Sequence, residues 1–329
     1  MTLLRDAHDV LLLDLDGTVY AGKDPIPGAV EALSGGSEKQ YFVTNNASRA
    51  PEDVAEHLRG LGFDTSAEFV VTSSEAAARV LADRLDSGAP VLVVGTDALA
   101  DEIAKVGLEP VRSADDNPVA VVQGHSVETG WAILAEAVLA IRAGALWVAT
   151  NIDATLPTER GLVLGNGSMV AAVRNATDIE PVVAGKPAAP IMQDAIERSG
   201  ARSALVVGDR LDTDIAGANE TQLPSLLVLT GVSTAAELLR APEHLRPTHI
   251  GYDLDVLNRP EDASRVGVKD GWTVAIDDAV LSVRFDGDSE PDALDGALAV
   301  LHVAWSGSDF AEVRFEGDRL GDLRSLLGC

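Results

Sequence analysis

Two carboxylates end an apolar run near the start of the chain. Asp14 and Asp16 follow the aliphatic residues Val10–Leu13, and a Gly-Thr pair comes next. Carboxylates two positions apart repel each other unless a positive charge lies between them, and a hard cation such as Mg²⁺ prefers oxygen ligands of this kind. The stretch therefore predicts either a Mg²⁺ site or an ordinary strand-to-turn junction, since strands often end in Asp or Gly.

Three further groups of polar residues follow predicted strands or begin a predicted helix. They are Thr44-Asn45-Asn46, Gly185-Lys186-Pro187, and Asp209 with Asp212 and Asp214. A lysine at a helix start adds its charge to free backbone N–H groups that already favour anions. Taken singly, Thr44 is more often a cap, Lys186 a surface charge and Asp209 a turn residue. Their order and placement along one core indicate a functional site.

A parallel α/β sheet can bring these groups to one edge. Short β-rich runs alternate with helical runs from Asp9 to Leu257, which is typical of such a sheet. The predicted strands are Val10–Leu13, Tyr41–Thr44, Ala204–Val207 and Leu226–Leu229, and the predicted helices are Gly28–Leu33, Pro51–Leu61, Ser74–Leu85, Pro190–Ser199 and Thr213–Asn219. Open sheets of this class bind ligands at the carboxyl ends of their strands.

A second α/β unit interrupts this rhythm between about Gly88 and Glu180. Its predicted strands are Pro90–Val94, Ala120–Gln123 and Ala145–Ala149. Trp131–Arg142 is predicted to be a helix whose apolar face comprises Trp131, Leu134, Val138 and Ile141. The polar, glycine-rich stretch Asn151–Gly167 is predicted to be a loop.

The pattern changes again from about Pro260. Trp272–Ile276, Val280–Phe285 and Glu312–Phe315 alternate like antiparallel strands, and Ala293–Trp305 has the pattern of a helix. We expect a small α+β module here, without a catalytic motif.

The composition excludes several classes of function. The chain has 329 residues, enough for two or three globular domains, and its 52 acidic and 25 basic residues give a charge of −27. This charge argues against a nucleic-acid or anionic-membrane partner. Cys329 is the only cysteine, which excludes an intrachain disulfide and a thiolate metal site. Without a secretory signal or a long apolar run, we expect a cytoplasmic protein; the sequence leaves homo-oligomer formation open.

Together and in this order, the motifs resemble those of the haloacid dehalogenase superfamily of phosphatases. They read Asp-x-Asp-Gly-Thr, Thr-Asn-Asn, Gly-Lys-Pro and Gly-Asp-x-x-x-x-Asp. The inserted unit is similar to the C2-type cap of the branch that contains p-nitrophenylphosphatases, nucleotide phosphatases and phosphoglycolate phosphatases. A closer resemblance, to an actinobacterial subgroup of glycerol 3-phosphate phosphatases, lies in Phe42–Arg49, Gly144–Thr150, Leu156–Met169 and Val206–Asp214.

The resemblance implies a Rossmann-like, doubly wound α/β core formed by residues 1–87 and 181–259. It implies a C2-type cap at residues 88–180. Residues 260–329 correspond to a C-terminal α+β module, which in the subgroup is acetyltransferase-like in shape. The stretch carries no acetyl-CoA-binding signature that we recognise, so we expect a structural or regulatory role for it.

The resemblance also implies roles for the acids and the lysine. Asp14 is the expected nucleophile, which forms an aspartyl-phosphate, and Asp16 is the expected general acid and base. Mg²⁺ is the expected cofactor, held by Asp14, Asp209 and the backbone carbonyl of Asp16. Lys186 neutralises phosphoryl charge, and Asp214 orients Lys186 or a metal-bound water. Asp212 is expected to be a solvated surface residue.

Substrate contacts are expected from the core and from the cap. The core residues are Thr44, Asn45, Asn46 and Lys186, and the candidates in the cap loop are Asn151, Asp153 and Arg160. We therefore predict a Mg²⁺-dependent phosphatase of a small phosphorylated metabolite, with glycerol 3-phosphate as the leading substrate. A broad-specificity p-nitrophenyl, nucleotide or phosphoglycolate phosphatase is the alternative. A non-catalytic sensor of phosphorylated metabolites is a third hypothesis, and the intact pair of acids argues against it.

Overall fold

The computed structural model describes residues 2–158, 160–307 and 309–329. The strands are β1 (Val10–Leu13), β2 (Tyr20–Ala21), β3 (Asp24–Pro25), β4 (Lys39–Thr44), β5 (Val70–Thr72), β6 (Pro90–Val94), β7 (Glu109–Val111), β8 (Ala120–Gln123), β9 (Leu146–Ala149), β10 (Thr155–Thr158), β11 (Gly161–Leu164), β12 (Val182–Val183), β13 (Ala204–Gly208), β14 (Ser225–Val228), β15 (His249–Gly251), β16 (Trp272–Asp277), β17 (Val280–Phe285) and β18 (Glu312–Glu316).

The α-helices are α1 (Ala29–Leu33), α2 (Pro51–Gly60), α3 (Ser73–Ala82), α4 (Asp97–Lys105), α5 (Trp131–Arg142), α6 (Asn166–Thr177), α7 (Ala189–Ser199), α8 (Ala216–Glu220), α9 (Ala235–Leu238), α10 (Ala293–Ala304) and α11 (Gly321–Leu327). A π-helical turn, Leu211–Ile215, precedes α8. Short 3₁₀ helices occupy Arg5–Ala7, Ala67–Phe69, Ala114–Asp116, Glu243–Leu245, Leu254–Asn258 and Glu261–Ala263. No helix in the described part of the chain combines the length and apolarity needed to cross a membrane.

The chain divides into two compact units. The first unit comprises residues 1–40 and 201–329, and the second comprises residues 41–200. The core strands and helices predicted from the sequence are present, with ends that differ by a few residues at most. This confirms the predicted α/β class, in which a parallel-sheet core is accompanied by an added α/β region and a small C-terminal sheet.

Four parallel strands form the sheet of the first unit, in the order β15-β14-β13-β1. All four residues of β1 are buried, as expected for a strand covered on both faces of a parallel sheet. β1 pairs with β13 so that Leu13 lies opposite Val207. The acids that follow these two strands therefore leave the sheet at the same edge.

The C-terminal strands belong to the first unit and share its hydrophobic core. Trp272, Leu281 and Leu298 pack in one buried cluster with Ile215 and Leu227. The strands β16 and β17 are antiparallel, but β17 and β18 are parallel. The antiparallel prediction is wrong for β18 because α10 lies between the two strands and returns the chain to the same end of the sheet.

The second unit contains a parallel pair, β4 and β5, and a five-stranded parallel sheet in the order β12-β9-β8-β6-β7. The five-stranded sheet confirms the predicted second α/β unit. Helix α3 begins at a capping box, in which the Thr72 hydroxyl accepts from the Glu75 N–H and the Glu75 carboxylate accepts from the Thr72 N–H.

Two predictions for this region are wrong. Trp131 does not belong to the buried face of α5, because 85% of its surface is exposed while Ala137, Ala140 and Ile141 are buried. The stretch predicted as a loop contains the antiparallel hairpin of β10 and β11 and the start of α6. Gly161 has a φ of 110°, a conformation that favours glycine, and pairs with Thr158 at the turn of this hairpin.

Candidate active site

Three carboxylates converge at the edge where β1 and β13 end. One carboxylate oxygen from each of Asp14, Asp209 and Asp214 lies within 4.8 Å of the others. The Asp14 N–H donates to the carbonyl of Val207 at 2.8 Å, which continues the β1–β13 pairing by one residue. Parallel pairing thus brings together two acids that are 195 positions apart in the sequence.

Asp209 is fully buried and is held by donors from two loops. Its Oδ2 accepts from the Val232 N–H at 2.7 Å, and its Oδ1 accepts from the Thr18 hydroxyl at 3.5 Å. Glycine is required on both sides, because a Cβ on Gly17 or Gly231 would lie 2.6 or 2.0 Å from Oδ2. The positions after β1 and β14 therefore shape the environment of this carboxylate.

Asp214 lies inside the acid cluster, and its role of orienting Lys186 or a metal-bound water stays a prediction. It is buried on the π-helical turn, and its Oδ2 accepts from the Arg210 N–H at 3.1 Å. Asp212 points away, exposed and paired with Arg210 at 2.8 Å, which agrees with its expected surface position. The irregular turn separates the two acids into a buried one and an exposed one.

Asp16 is exposed and lies beside Tyr20. The Tyr20 hydroxyl donates to Asp16 Oδ2 at 3.3 Å. The contacts of Tyr20 and Val232 with the acids were not predicted from the sequence, because each depends on a local turn or a distant loop.

The acid cluster has the chemistry of a site for a hard cation. Its side-chain donors are carboxylate oxygens, which Mg²⁺ prefers. Carboxylates so close together repel each other, and a divalent cation relieves that repulsion. The backbone carbonyl of Asp16 is the remaining metal ligand that the sequence predicts. The residues present fit the expected metal.

Lys186 is buried in the second unit, with 2% of its surface exposed. Its Nζ donates to the carbonyl of Val43 at 3.1 Å, and its N–H donates to Oδ1 of Asn45 at 2.8 Å. Thr44 is also buried, and its hydroxyl accepts from the Asn46 N–H at 3.0 Å. The end of β4 and the segment after β12 thus bring together three of the predicted phosphate-binding residues.

The other predicted substrate contacts have different surroundings. Asn46 Oδ1 accepts from the Ser48 N–H at 2.9 Å, which forms a local turn before α2. Asn151 is buried and Asp153 half-buried, and both hydrogen-bond to Asn45. Arg160 is exposed at the turn of the β10–β11 hairpin. The neighbouring Glu159, inside the predicted substrate loop, lies outside the described residues.

Comparisons with known proteins agree with this arrangement. The family model for haloacid dehalogenase-like hydrolases matches residues 11–109, and a HAD-hydrolase-like model matches residues 183–257. A D-glycerol 3-phosphate phosphatase from Mycobacterium tuberculosis is 53% identical over 307 residues, which is 93% of this chain and 87% of that protein.

Solved structures of phosphatases also superimpose on this chain. A crystal structure of a glycerol phosphate phosphatase from Mycobacterium tuberculosis in complex with magnesium superimposes with a TM-score of 0.96 at 51% identity, covering 99% of both chains. A 4-nitrophenylphosphatase from Thermotoga maritima gives a TM-score of 0.71 at 30% identity over 77% of this chain and 97% of that one. The fold, the ordered motifs and these relatives show that the chain belongs to the haloacid dehalogenase-like hydrolase family.

Proposed function

We propose that the protein is a Mg²⁺-dependent phosphatase whose substrate is glycerol 3-phosphate. The observation that carries the proposal is the convergence of the Asp14, Asp209 and Asp214 carboxylates within 4.8 Å. Membership of a hydrolase family whose relatives are named phosphatases supports the activity. The 53% identity to a D-glycerol 3-phosphate phosphatase supports the substrate.

The carboxylate cluster is the proposed Mg²⁺ site. Side chains of Asp14 and Asp209 and the backbone carbonyl of Asp16 are the proposed protein ligands, and Asp214 orients a metal-bound water. The magnesium complex of the relative supports the choice of metal. Bound Mg²⁺ supplies positive charge that neutralises phosphoryl oxygens, which otherwise repel an anionic nucleophile.

Asp14 and Asp16 perform the proposed chemistry in two steps. A carboxylate oxygen of Asp14 attacks phosphorus, and the bond from phosphorus to the glycerol oxygen breaks. Asp16 donates its proton to the departing oxygen, which leaves as an alcohol. Asp16 then takes a proton from a water molecule that attacks phosphorus of the aspartyl-phosphate. Phosphate is released and the carboxylate of Asp14 is restored.

Residues of the second unit recognise the phosphoryl group in this proposal. The Lys186 ammonium neutralises phosphoryl charge and keeps Asp14 ionised. The Thr44 hydroxyl and the backbone amide N–H of Asn45 donate hydrogen bonds to phosphoryl oxygens, and Asn46 adds a further polar contact. Asn151, Asp153 and Arg160 are the proposed contacts of the cap with the glycerol hydroxyls.

Domain boundaries at residues 87/88, 180/181 and 259/260 remain part of the proposal, as does the cytoplasmic location. The structural or regulatory role of residues 260–329 is supported by the core that they share with β14 and the π-helical turn.

A kinetic panel tests the proposal. Phosphate release is measured with glycerol 3-phosphate, 2-phosphoglycolate, a nucleoside monophosphate, a sugar phosphate and p-nitrophenyl phosphate. We expect the highest kcat/KM with glycerol 3-phosphate, and loss of turnover in Asp14→Asn and in EDTA. A higher kcat/KM with another ester would overturn the substrate, and equal release by wild type and Asp14→Asn would overturn the nucleophile.

A further inference from the structure

The side chain of Asn45 binds both backbone polar groups of Lys186. Its Oδ1 accepts from the Lys186 N–H at 2.8 Å, and its Nδ2 donates to the Lys186 carbonyl at 3.0 Å. The same Nδ2 faces the Asp153 carboxylate, with distances of 3.2 and 3.4 Å to its two oxygens. The carboxamide therefore connects the lysine backbone with a residue of the predicted cap.

Asn45 is itself fixed by its neighbours. Its carbonyl accepts from the Ser73 hydroxyl and from Asn151 Nδ2, both at 2.7 Å. The Oδ1 of Asn151 accepts from the Asp153 N–H at 3.2 Å, so both the oxygen and the nitrogen of the Asn151 carboxamide are hydrogen-bonded. Asn151 and Asp153 thus hold Asn45 from two directions, and only 5% of the Asn151 surface is exposed.

The glycine before the lysine leaves no room for a side chain beside this contact. A Cβ on Gly185 would lie 2.6 Å from Oδ1 of Asn45 and 2.4 Å from the Thr150 carbonyl oxygen. Both distances are shorter than real Cβ contacts, and one of the two atoms belongs to the backbone. The Gly-Lys pair therefore fits against Asn45 only with glycine at position 185.

We propose that Asn45 is a positioning residue for Lys186, and that Asn151 and Asp153 act through it. The inference rests on the proposed function, in which Lys186 neutralises the phosphoryl charge. A lysine side chain has four rotatable bonds, so its ammonium is accurately placed only if its backbone is fixed and its stem is buried. Asn45 supplies the first condition, and the 2% exposure of Lys186 supplies the second.

A double-mutant cycle between Asn45→Ala and Lys186→Ala tests the proposal. It is read in kcat/KM for p-nitrophenyl phosphate and in the affinity for inorganic phosphate by calorimetry, which needs no turnover. Misplacing a catalytic group by about 1 Å can cost about 10²-fold, so we expect Asn45→Ala to lower kcat/KM by about 10- to 100-fold. In the Lys186→Ala background we expect Asn45→Ala to lower kcat/KM by less than about twofold, since the effects of substitutions at coupled residues are not additive.

Asn45→Asp is the second variant, chosen because it keeps the size of the side chain and the acceptor for the Lys186 N–H. It loses both donated bonds and places two carboxylates face to face, so kcat/KM should fall. Asp153→Asn added to this variant restores a donor opposite the new carboxylate and should recover part of the loss. Asn175→Ala, at an exposed position of α6, is the control and should leave all constants unchanged.

The outcomes separate two failures. Equal losses from Asn45→Ala with and without Lys186 would show an independent structural effect, and would overturn the positioning role alone. Absence of recovery in Asn45→Asp with Asp153→Asn would overturn the part assigned to Asp153. Turnover by Lys186→Ala equal to that of wild type would instead overturn the proposed function.

Discussion

The stability of the first unit should fall steeply in mild acid because of one buried histidine. Only 1% of the His249 surface is exposed, and its Nδ1 lies 3.0 Å from the Ser264 hydroxyl. Burial lowers the pKa of His249 from 6.5 to about 4, and the charge of Arg265 adds to this effect while Glu261 opposes it. The unfolded chain therefore binds one more proton than the folded chain between these two values.

The size of the effect follows from linkage. With an unfolded-state pKa of 6.5, the free energy of unfolding falls by about 2 kcal/mol from pH 7 to pH 5 and by about 3 kcal/mol by pH 4. The contribution levels off only below about pH 3, where the histidine is protonated in both the folded and the unfolded state. A loss of about 3 kcal/mol is a large fraction of the roughly 5–15 kcal/mol by which a typical domain is stable.

Urea unfolding of wild type and His249→Asn, followed by tryptophan fluorescence in EDTA, measures this contribution. EDTA removes the separate effect of pH on metal binding. The variant cannot titrate at position 249, so its free energy of unfolding should fall by about 2 kcal/mol less than that of wild type between pH 7 and pH 5. Parallel pH profiles for the two proteins would refute the argument.

Three other perturbations test the site and the core. Gly231→Ala, whose methyl group would meet Asp209 Oδ2, should weaken Mg²⁺ binding in calorimetry by at least about tenfold; Gly267→Ala, with open space around its Cβ, should not. Replacing Mg²⁺ by Ca²⁺ in the phosphate-release assay should inhibit turnover, because the larger ion accepts irregular coordination and can bind both oxygens of Asp14; equal rates would contradict the metal role. Leu298→Ala should lower the free energy of unfolding in urea by about 2–5 kcal/mol, as expected for a fully buried leucine; a loss below about 1 kcal/mol would argue against the shared core.

The sequence predicted the core strands well because burial on both faces of a parallel sheet requires unbroken apolar runs. Val10–Leu13 is such a run, and the structure has β1 at these same residues. The predicted burial of Trp131 was wrong because helical spacing identifies residues on one face of a helix but does not show at which turn the buried face begins. The hairpin of β10 and β11 was missed because its polar and glycine content resembles that of a loop.

Site residues were predictable where they stand at the end of a strand. Asp14 and Asp209 follow β1 and β13, and the register of these strands brings them together. The contacts of Tyr20 with Asp16 and of Val232 with Asp209 depend on turn geometry and on a distant loop. No spacing rule in a single sequence encodes such contacts.

Detection of an aspartyl-phosphate is the most direct test of the central claim, which is that Asp14 is the nucleophile. The enzyme is quenched with acid during turnover of glycerol 3-phosphate, reduced with borohydride and digested for peptide mass spectrometry. Borohydride converts an acyl phosphate to an alcohol, so we expect homoserine at position 14. Homoserine at another acidic residue, or an unchanged Asp14 under conditions of full turnover, would contradict the proposed mechanism.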